Sequence, residues 1–204
     1  MTKVKFAIMG LALAAAGSAQ AGGVGARIGT TGLGADVAWS LAPTLSARLG
    51  YSAGKVDHDV STDLTTYHGK LKLSNLNTFL DFSPLGPFRI TGGFIFNDNK
   101  FDVNTDQFNG GSISGTVKPS KSAAPYLGIG YGNVSGAGVN FYADLGVMYQ
   151  GSPKASLTAN CGSLSAAQCS SLQSQVASEQ AQLEDKLKNA KYYPVLNIGL
   201  TIGF

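Results

Sequence analysis

The end of the chain alternates between large apolar side chains and small or polar ones over its last thirteen residues. A period of two predicts a β-strand whose two faces differ. Large apolar side chains on one face and glycines on the other are typical of a strand with lipid outside and a narrow lumen inside. The apolar set is Tyr192, Pro194, Leu196, Ile198, Leu200, Ile202 and Phe204, and the intervening set is Tyr193, Val195, Asn197, Gly199, Thr201 and Gly203.

Earlier segments alternate in the same way and predict further strands over 22–31, 33–41, 45–52, 67–82, 88–97, 125–132 and 139–150. The apolar positions change parity between the first two segments, and such a change requires a turn or a bulge. We favour a tight turn at 30–32, because an even number of strands brings both ends of the barrel to the same side. The alternative is one continuous strand over 22–41, which leaves an odd number. A second parity change falls near Ser74 and Asn75.

Short connections alternate with long ones along the chain. The short ones are 42–44, 83–87 and 133–138, and the long ones are 55–66, 98–121 and 151–191. This asymmetry is typical of outer-membrane barrels, which have short periplasmic turns and longer extracellular loops. We therefore predict an all-β fold: an eight-stranded antiparallel transmembrane up-and-down β-barrel, with the long connections on the extracellular side. We expect the connection 55–66 to be a polar loop, and 98–121 to be either a polar, glycine-rich loop or an extension of the flanking strands.

The last long connection contains a segment with helical character, 163–191, rich in Ala, Gln, Glu, Leu and Lys. Ser165 and Gln168 have the spacing of a capping box, and we predict a helix over 166–190. Its narrow apolar stripe fits packing on the barrel rim or pairing with another helix. Cys161 and Cys169 flank its start, and in an exported chain a disulfide is expected. The disulfide either stabilises an ordered loop, which we favour, or presents a recognition element.

The N-terminus has the features of a secretory signal peptide. Lys3 and Lys5 precede an apolar run over 6–16, and Ala19-Gln20-Ala21 has the form of a cleavage site. We expect cleavage after Ala21, leaving a single barrel domain over 22–204. Without the two lysines, 13 basic residues remain against 12 acidic ones, a balance that predicts no nucleic-acid partner.

Charged residues of the predicted strands fall on the face that carries glycines. A charge on the lipid face costs about 2–4 kcal/mol at the bilayer midplane, whereas inside a narrow barrel a charge survives when it has a partner. We expect the glycines of the last strand to leave space for these side chains, and we expect a lumen largely filled by them rather than a gated path for small solutes. The predicted lumen network is Arg27, Asp36, Arg48, Asp81, Arg89 and Asp144.

Candidate chemistry is sparse. Asp57-His58-Asp59 has the form of a weak metal site or an acid–base pair, but solvated loop charge is the interpretation we favour. His68 alternates with two lysines. We predict no catalytic residue, no metal site and no cofactor. Aromatic residues near strand ends are typical of membrane-interface girdles or of ordinary cross-strand packing, and they are Trp39, Tyr51, Tyr67, Tyr131, Tyr149 and Tyr192.

Several blocks carry a resemblance: Gly29-Thr-Thr-Gly-Leu-Gly34, Arg48-Leu-Gly-Tyr51, Gly69-Lys-Leu-Lys-Leu73, Phe88-Arg-Ile-Thr-Gly-Gly93, Ala124-Pro-Tyr-Leu-Gly-Ile-Gly-Tyr131, Ala143-Asp-Leu-Gly-Val147 and Tyr192-Tyr-Pro-Val195. Together they resemble a family of small proteobacterial outer-membrane β-barrels of unknown function, and more loosely the OmpA- and OmpW-type eight-stranded barrels. The resemblance implies that Phe204, with Ile202 and Leu200, is the signal read by the barrel-assembly machinery, and that periplasmic chaperones act during biogenesis. It implies no enzymatic activity.

These observations predict an integral outer-membrane barrel with a structural or surface-interaction role. Outer-membrane lipid is the expected partner, and the long loops leave room for an extracellular one. The alternative is a narrow channel for small or hydrophobic solutes, as OmpW-type proteins imply, although no residue here matches that role. A lipid-modifying enzyme is the least favoured function.

Overall fold

A computed structural model describes residues 21–61, 66–105 and 111–204, with side chains over 21–57, 68–105 and 111–204. The predicted signal peptide lies outside these residues, apart from Ala21, and stays a prediction. Strands make up most of the described chain, and they are β1 (Gly22–Gly29), β2 (Gly32–Ala42), β3 (Leu45–Ser61), β4 (Thr66–Leu85), β5 (Phe88–Asn97), β6 (Lys100–Thr105), β7 (Ser112–Lys118), β8 (Ala123–Tyr131), β9 (Gly138–Tyr149), β10 (Lys154–Asn160) and β11 (Tyr192–Gly203). The helix α1 spans Ala166–Leu187.

Eight of the strands close into an antiparallel ring, in the order β1, β2, β3, β4, β5, β8, β9, β11 and back to β1. The first and last strands close it, because Gly22 N donates to Phe204 O and Phe204 N donates to Gly22 O. Closure leaves no unpaired strand edge in the ring. The preferred interpretation of 22–41 is confirmed: β1 and β2 form a hairpin, and Gly29 pairs with Gly32.

Three further strands form a sheet that continues beyond one end of the ring, and we call β6, β7 and β10, with the ends of β3 and β4 that they follow, the extension. β4 pairs with β5 up to Asn75 and with β6 from Lys72 to Tyr67, so one strand belongs to both sheets. β7 then pairs with β6, and β10 with β7. The described part of the chain therefore holds eleven strands, and the expectation of eight in all is wrong.

The polar loop expected over 55–66 is wrong where it is described, because 55–61 belong to β3 and 66 begins β4. The connection 98–121 contains β6 and β7, in keeping with the alternative that it extends the flanking strands, and 151–191 contains β10, which was not predicted. These segments alternate as the barrel strands do, but their second face is Ser, Thr, Asn and Lys rather than glycine. In β6, for example, Phe101 and Val103 alternate with Asp102 and Asn104. A polar face in water and an apolar face beneath it also make a stable antiparallel sheet.

Helix α1 begins at the predicted capping box. Ser165 N donates to Gln168 Oε1 at 3.1 Å, and Gln168 N donates to Ser165 Oγ at 3.4 Å. The helix ends at Leu187, three residues before the predicted end. The Cys161–Cys169 disulfide is confirmed, and it ties the first turn of α1 to the end of the preceding loop.

Helix α1 covers the free edge of β10. Ala155 N donates to Glu184 Oε1 at 3.2 Å, and Leu157 N donates to Gln180 Oε1 at 3.0 Å. The two amides lie two residues apart on the strand, and their acceptors lie four apart on one face of the helix. Val176, from the same helix, is buried. The helix thus packs on the extension. Its apolar stripe suggested packing on the barrel rim or pairing with another helix, and neither is observed. In this position the helix covers a strand edge that could otherwise pair with another chain.

We predict that the double substitution Gln180→Ala, Glu184→Ala exposes this edge. Amide hydrogen exchange at Ala155 and Leu157 should accelerate by roughly tenfold or more, because each amide loses its acceptor. The matched pair Glu179→Ala, Gln182→Ala, on the exposed side of the helix, should leave exchange unchanged. Equal protection in the two variants would contradict an edge-capping role for the helix.

Candidate functional site

The interior of the ring carries six charged side chains, three positive and three negative. Each is at most 3% exposed, although each is attached to a strand whose neighbouring positions face outward. The strict alternation of buried and exposed residues in β8 and β11 places the glycine-rich face inside and the apolar face outside. The six residues are those of the proposed lumen network: Arg27, Asp36, Arg48, Asp81, Arg89 and Asp144.

Four of them form a closed cluster in which positive and negative groups alternate. Arg48 contributes Nη1 to Asp144 Oδ2 at 2.7 Å and Nη2 to Asp81 Oδ1 at 3.1 Å. Arg89 contributes Nη2 to the other oxygen of Asp144 at 2.5 Å, and its Nε lies 3.5 Å from Asp81. Thr91 Oγ1 adds a hydrogen bond to Asp81 at 2.5 Å. Four different strands, β3, β4, β5 and β9, are therefore tied together across the lumen.

The remaining pair lies beside this cluster and is joined to it by an aromatic ring. Arg27 Nη1 lies 2.8 Å from Asp36 Oδ1, and Tyr142 Oη donates to Asp36 Oδ2 at 2.6 Å. The Arg48 guanidinium carbon lies 5.2 Å from the centroid of the Tyr142 ring and the same distance from that of Phe79. Cation–π contacts of this kind strengthen when the cation is desolvated.

Glycines of the inner face make space for named partners. A Cβ at Gly50 would overlap Asp36 Oδ1, and one at Gly130 would lie 2.6 Å from both Arg89 Nη2 and Asp144 Oδ1. In the last strand the expected use of the space is wrong. A Cβ at Gly199 would overlap the Tyr142 ring, and one at Gly203 would overlap the backbone oxygen of Gly136. The last strand makes room for an aromatic ring and for a turn rather than for charged groups.

An apolar layer lies next to the charged cluster, on the side of the extension. Its buried members are Phe79, Ile95, Ala124, Tyr126, Met148 and Val195. Val195 belongs to the intervening set of the last strand in the sequence, but the layer itself was not predicted. Strand parity could have indicated it, because Ile95 of β5 lies between the outward-facing Phe94 and Phe96. An apolar residue at an inward position, however, has the same composition as the outer face and does not stand out in the sequence.

A layer of amides follows, closer still to the extension. Asn75 Nδ2 donates to Asn99 Oδ1 at 3.0 Å and to Thr31 O at 3.2 Å, and Thr31 Oγ1 donates to Asn197 Oδ1 at 3.1 Å. Asn97 Oδ1 accepts from the backbone nitrogen of Asn99. Neutral side chains that both donate and accept hydrogen bonds thus lie at the mouth of the ring at this end.

The turn between β8 and β9, over 132–137, packs at the opposite mouth of the ring. Val134 is 2% exposed and packs with Ala38 and Tyr142. Ser135 Oγ lies 2.9 Å from Ser40 Oγ and 3.2 Å from Ser46 Oγ. A groove of about 420 Å³ remains outside this turn. The turn, the ion pairs and the apolar layer with its amides thus lie at successive levels along the ring.

The other candidate residues lie outside the lumen. Phe204, Ile202 and Leu200 are exposed on the outer face. The Asp57 carboxylate lies on the extension, 3.6 Å from Lys70 Nζ, whereas the side chain of His58 lies outside the described residues. Within the described residues, no group of three or more His, Cys, Asp and Glu side chains is arranged to hold a metal ion.

The predicted girdle aromatics also pack across strands. Tyr149 and Tyr192 lie with ring centroids 5.4 Å apart, and Tyr131 contacts Phe88 edge to face at 5.2 Å. Both interpretations are therefore compatible for these pairs, since Tyr131, Phe88 and Tyr192 are exposed as well as packed, and Tyr149 is half-buried. The side chain of Tyr67 lies outside the described residues.

Comparison with known proteins shows the fold. CarO2 from Acinetobacter baumannii is similar with a TM-score of 0.63 over 92% of this chain and 100% of that one, at 22% identity. CarO from the same organism gives 0.61 over 89% and 97%, also at 22% identity. A major outer membrane protein from Thermus thermophilus gives only 0.46 at 18% identity, too low for a conclusion. No protein-family model matches the chain. No curated protein matches it.

We predict that Arg48→Met destabilises the folded barrel by roughly 3–5 kcal/mol, because it leaves buried carboxylates with one cation too few. The double variant Arg48→Met, Asp81→Asn restores the charge balance and should cost less than the single one. Lys70→Met is the matched control, since the Lys70–Asp57 pair has side chains 48% and 63% exposed and should contribute less than about 1 kcal/mol. The measurement is the urea midpoint in detergent, followed by the heat-modifiable gel shift. A variant at Arg48 as stable as Lys70→Met contradicts the prediction.

We predict that Gly130→Ala lowers the stability measured in the same way by roughly 1–3 kcal/mol, because the added methyl group separates Arg89 from Asp144. Gly92→Ala on the adjoining strand is the control, since a Cβ there meets nothing within 4 Å. If the two variants unfold together, the space at Gly130 is not needed for the ion pair.

Proposed function

We propose that this chain is an integral barrel of a bacterial outer membrane, with a charge-paired and largely filled lumen and a structural or surface-interaction role. The observation that carries the proposal is the reversal of the usual arrangement of a soluble protein. Large apolar side chains cover the outside of the ring, and the arginines and aspartates lie inside. Continuous apolar surface on this scale marks contact with a membrane or a partner.

The apolar surface has the height of a membrane. On β11 the outward positions run from Tyr192 to Ile202 without a charged residue. Ten residue steps at about 3.3 Å each, with a strand tilt of about 40°, give about 25 Å along the barrel axis. This is the height of the apolar band of outer-membrane barrels. Within the described residues, no helix is both long and apolar enough to cross a membrane.

The filling of the lumen supports a structural role over a channel. An eight-stranded ring leaves room for side chains and little more. Here that room holds the salt-bridged cluster, the layer around Phe79 and Tyr126, and the turn that carries Val134. Opening a solute path would require the displacement of several paired charges, each of which is costly to leave unpaired.

The extension supports a role in surface interaction. In the proposed orientation the short turns face the periplasm, so the extension and α1 stand on the cell surface. They are ordered by strand pairing, by the disulfide and by the edge contacts of Gln180 and Glu184. An ordered polar sheet can present side chains in fixed positions, which favours the binding of an extracellular partner.

We expect the chain, expressed with its N-terminal segment in a Gram-negative host, to sediment with the outer membrane in a density gradient. The physical reason is the apolar outer face of the ring, which is stable only in contact with lipid. Recovery as a soluble periplasmic protein would contradict the proposed location.

The purified barrel, with insertion checked by the heat-modifiable gel shift, should show no steady conductance above background in a planar bilayer. The double variant Phe79→Ala, Tyr126→Ala removes the largest rings of the apolar layer and tests whether that layer limits flow. Steady conductance of the unmodified chain would favour the alternative, a narrow channel for small or hydrophobic solutes.

A further inference from the structure

Five lysines stand in one row across the extension: Lys55, Lys72, Lys100, Lys118 and Lys154. Lys55 of β3 lies opposite Lys72 of β4, which lies opposite Lys100 of β6. Lys118 of β7 lies opposite Lys154 of β10. The β6–β7 ladder, continued by one step, brings Lys100 beside Lys118. Residues directly opposite in an antiparallel ladder share a face, so the five side chains project from one side of the sheet. We call them the lysine row.

The row lies on the face that continues the outer surface of the barrel. On β4 the outward positions pass from Leu80 through Leu76 to Lys72 without a break in register. Tyr51 and Phe96 both lie opposite Leu76 and are exposed, so aromatic side chains flank β4 just below the row. The four residue steps between Leu76 and Lys72 span about 13 Å of strand. With a strand tilt of about 40°, the row lies about 10 Å above the aromatic level.

The row does not stabilise the sheet by itself. Like charges directly opposite each other are destabilising in a ladder, and the row contains such pairs at Lys55–Lys72, Lys72–Lys100 and Lys118–Lys154. Among the side chains that the structure describes, only Lys72 of the row has an ion pair, with Asp102 at 2.8 Å. The hydrogen bond from Lys72 holds the pKa of the Asp102 carboxyl below its usual range. The other four ammonium groups can therefore take anions from outside.

A polar groove of about 600 Å³ adjoins the row, farther from the barrel. Two more register rows form it, and they contain hydroxyl, amide and charged groups. Thr116 Oγ1 donates to Asp102 Oδ1 at 2.9 Å and holds that carboxylate in place. Hydroxyls and amides both donate and accept, as the hydroxyl groups of sugars do. The lining includes Lys70, Asp102, Thr116 and Ser156 in one row and His68, Asn104, Ser114 and Thr158 in the next.

We propose that the lysine row and the groove bind the phosphorylated sugar headgroup of a glycolipid in the leaflet that surrounds the barrel. The inference rests on the proposed function, because it needs the apolar face of the ring to lie in that membrane. Charge complementarity assigns the phosphates to the lysines, and the groove takes the adjoining sugars. The exposed apolar face below Tyr51 and Phe96 meets the acyl chains of the same lipid. A soluble anion would use the lysines alone and would gain nothing from their height above the apolar face.

The test compares two triple variants of the mature chain in detergent micelles, titrated with lipopolysaccharide by thermophoresis. Lys55→Gln, Lys118→Gln, Lys154→Gln removes the exposed members of the row and keeps the Lys72–Asp102 pair. Lys186→Gln, Lys188→Gln, Lys191→Gln removes the same charge near the end of α1. The row variant should bind at least roughly tenfold more weakly than the unmodified chain, because each lysine near an anionic surface contributes separately. The helix variant should change binding by less than about twofold, and the unmodified chain should bind dephosphorylated lipopolysaccharide roughly tenfold more weakly.

Three results would overturn the inference. Equal losses in the two variants would show diffuse attraction by net charge. If the dephosphorylated glycolipid binds as tightly as the phosphorylated one, the lysines do not recognise phosphate. Competition by inorganic phosphate as strong as by the lipid would assign the row to free anions. The heat-modifiable gel shift is recorded for every sample. A chain that never forms the folded barrel contradicts the proposed function, whereas a folded barrel without phosphate preference contradicts this inference alone.

Discussion

Charge neutralisation without solvent is the constraint on which the interior of this barrel depends. Arg48 and Arg89 share Asp81 and Asp144, and the two aspartates in turn come from strands on different sides of the lumen. Each of these two arginines has a carboxylate on either side. Separation of any one of these strands from the ring would therefore leave an unpaired buried charge. The cluster thus restrains the ring from within, while the backbone ladders restrain it around its circumference.

The same constraint explains the composition of the inner face. Gly130 lies on the strand between those of Arg89 and Asp144 and is directly opposite both, so the arginine reaches the aspartate past a position that has no side chain. The aromatic ring of Tyr142 needs a similar space, which Gly199 provides. Large side chains and glycines are therefore matched between directly opposite positions of neighbouring strands. Packing at the density of a protein interior requires such matching.

Sequence periodicity predicted the ring because each barrel strand has two faces of very different composition. It predicted the hairpin of β1 and β2 from the parity change at Thr31. The second parity change, near Ser74, is not a turn or a bulge, because β4 runs through it in one register with β3 and passes there from the ring to the extension. It failed for the extension because β6, β7 and β10 place polar groups opposite apolar ones in a segment where loops were expected. Which inward residues meet across the lumen could not be predicted, because strand parity gives the face of Phe79 or Asp144 but not the stagger that sets their relative height.

The strand β4 belongs both to the ring and to the extension, and its ladder with β3 runs in one register from Leu45 to Ser61. A hinge between the two parts would have to break hydrogen bonds of that ladder. The extension is consequently a stiff continuation of the barrel wall, in which β4 runs about 30 Å beyond Asn75 along the strand. Molecules that reach the polar face meet groups whose distance from the apolar belt does not vary. The conformational entropy of this surface is lost during folding, so a ligand that binds there does not have to order it again.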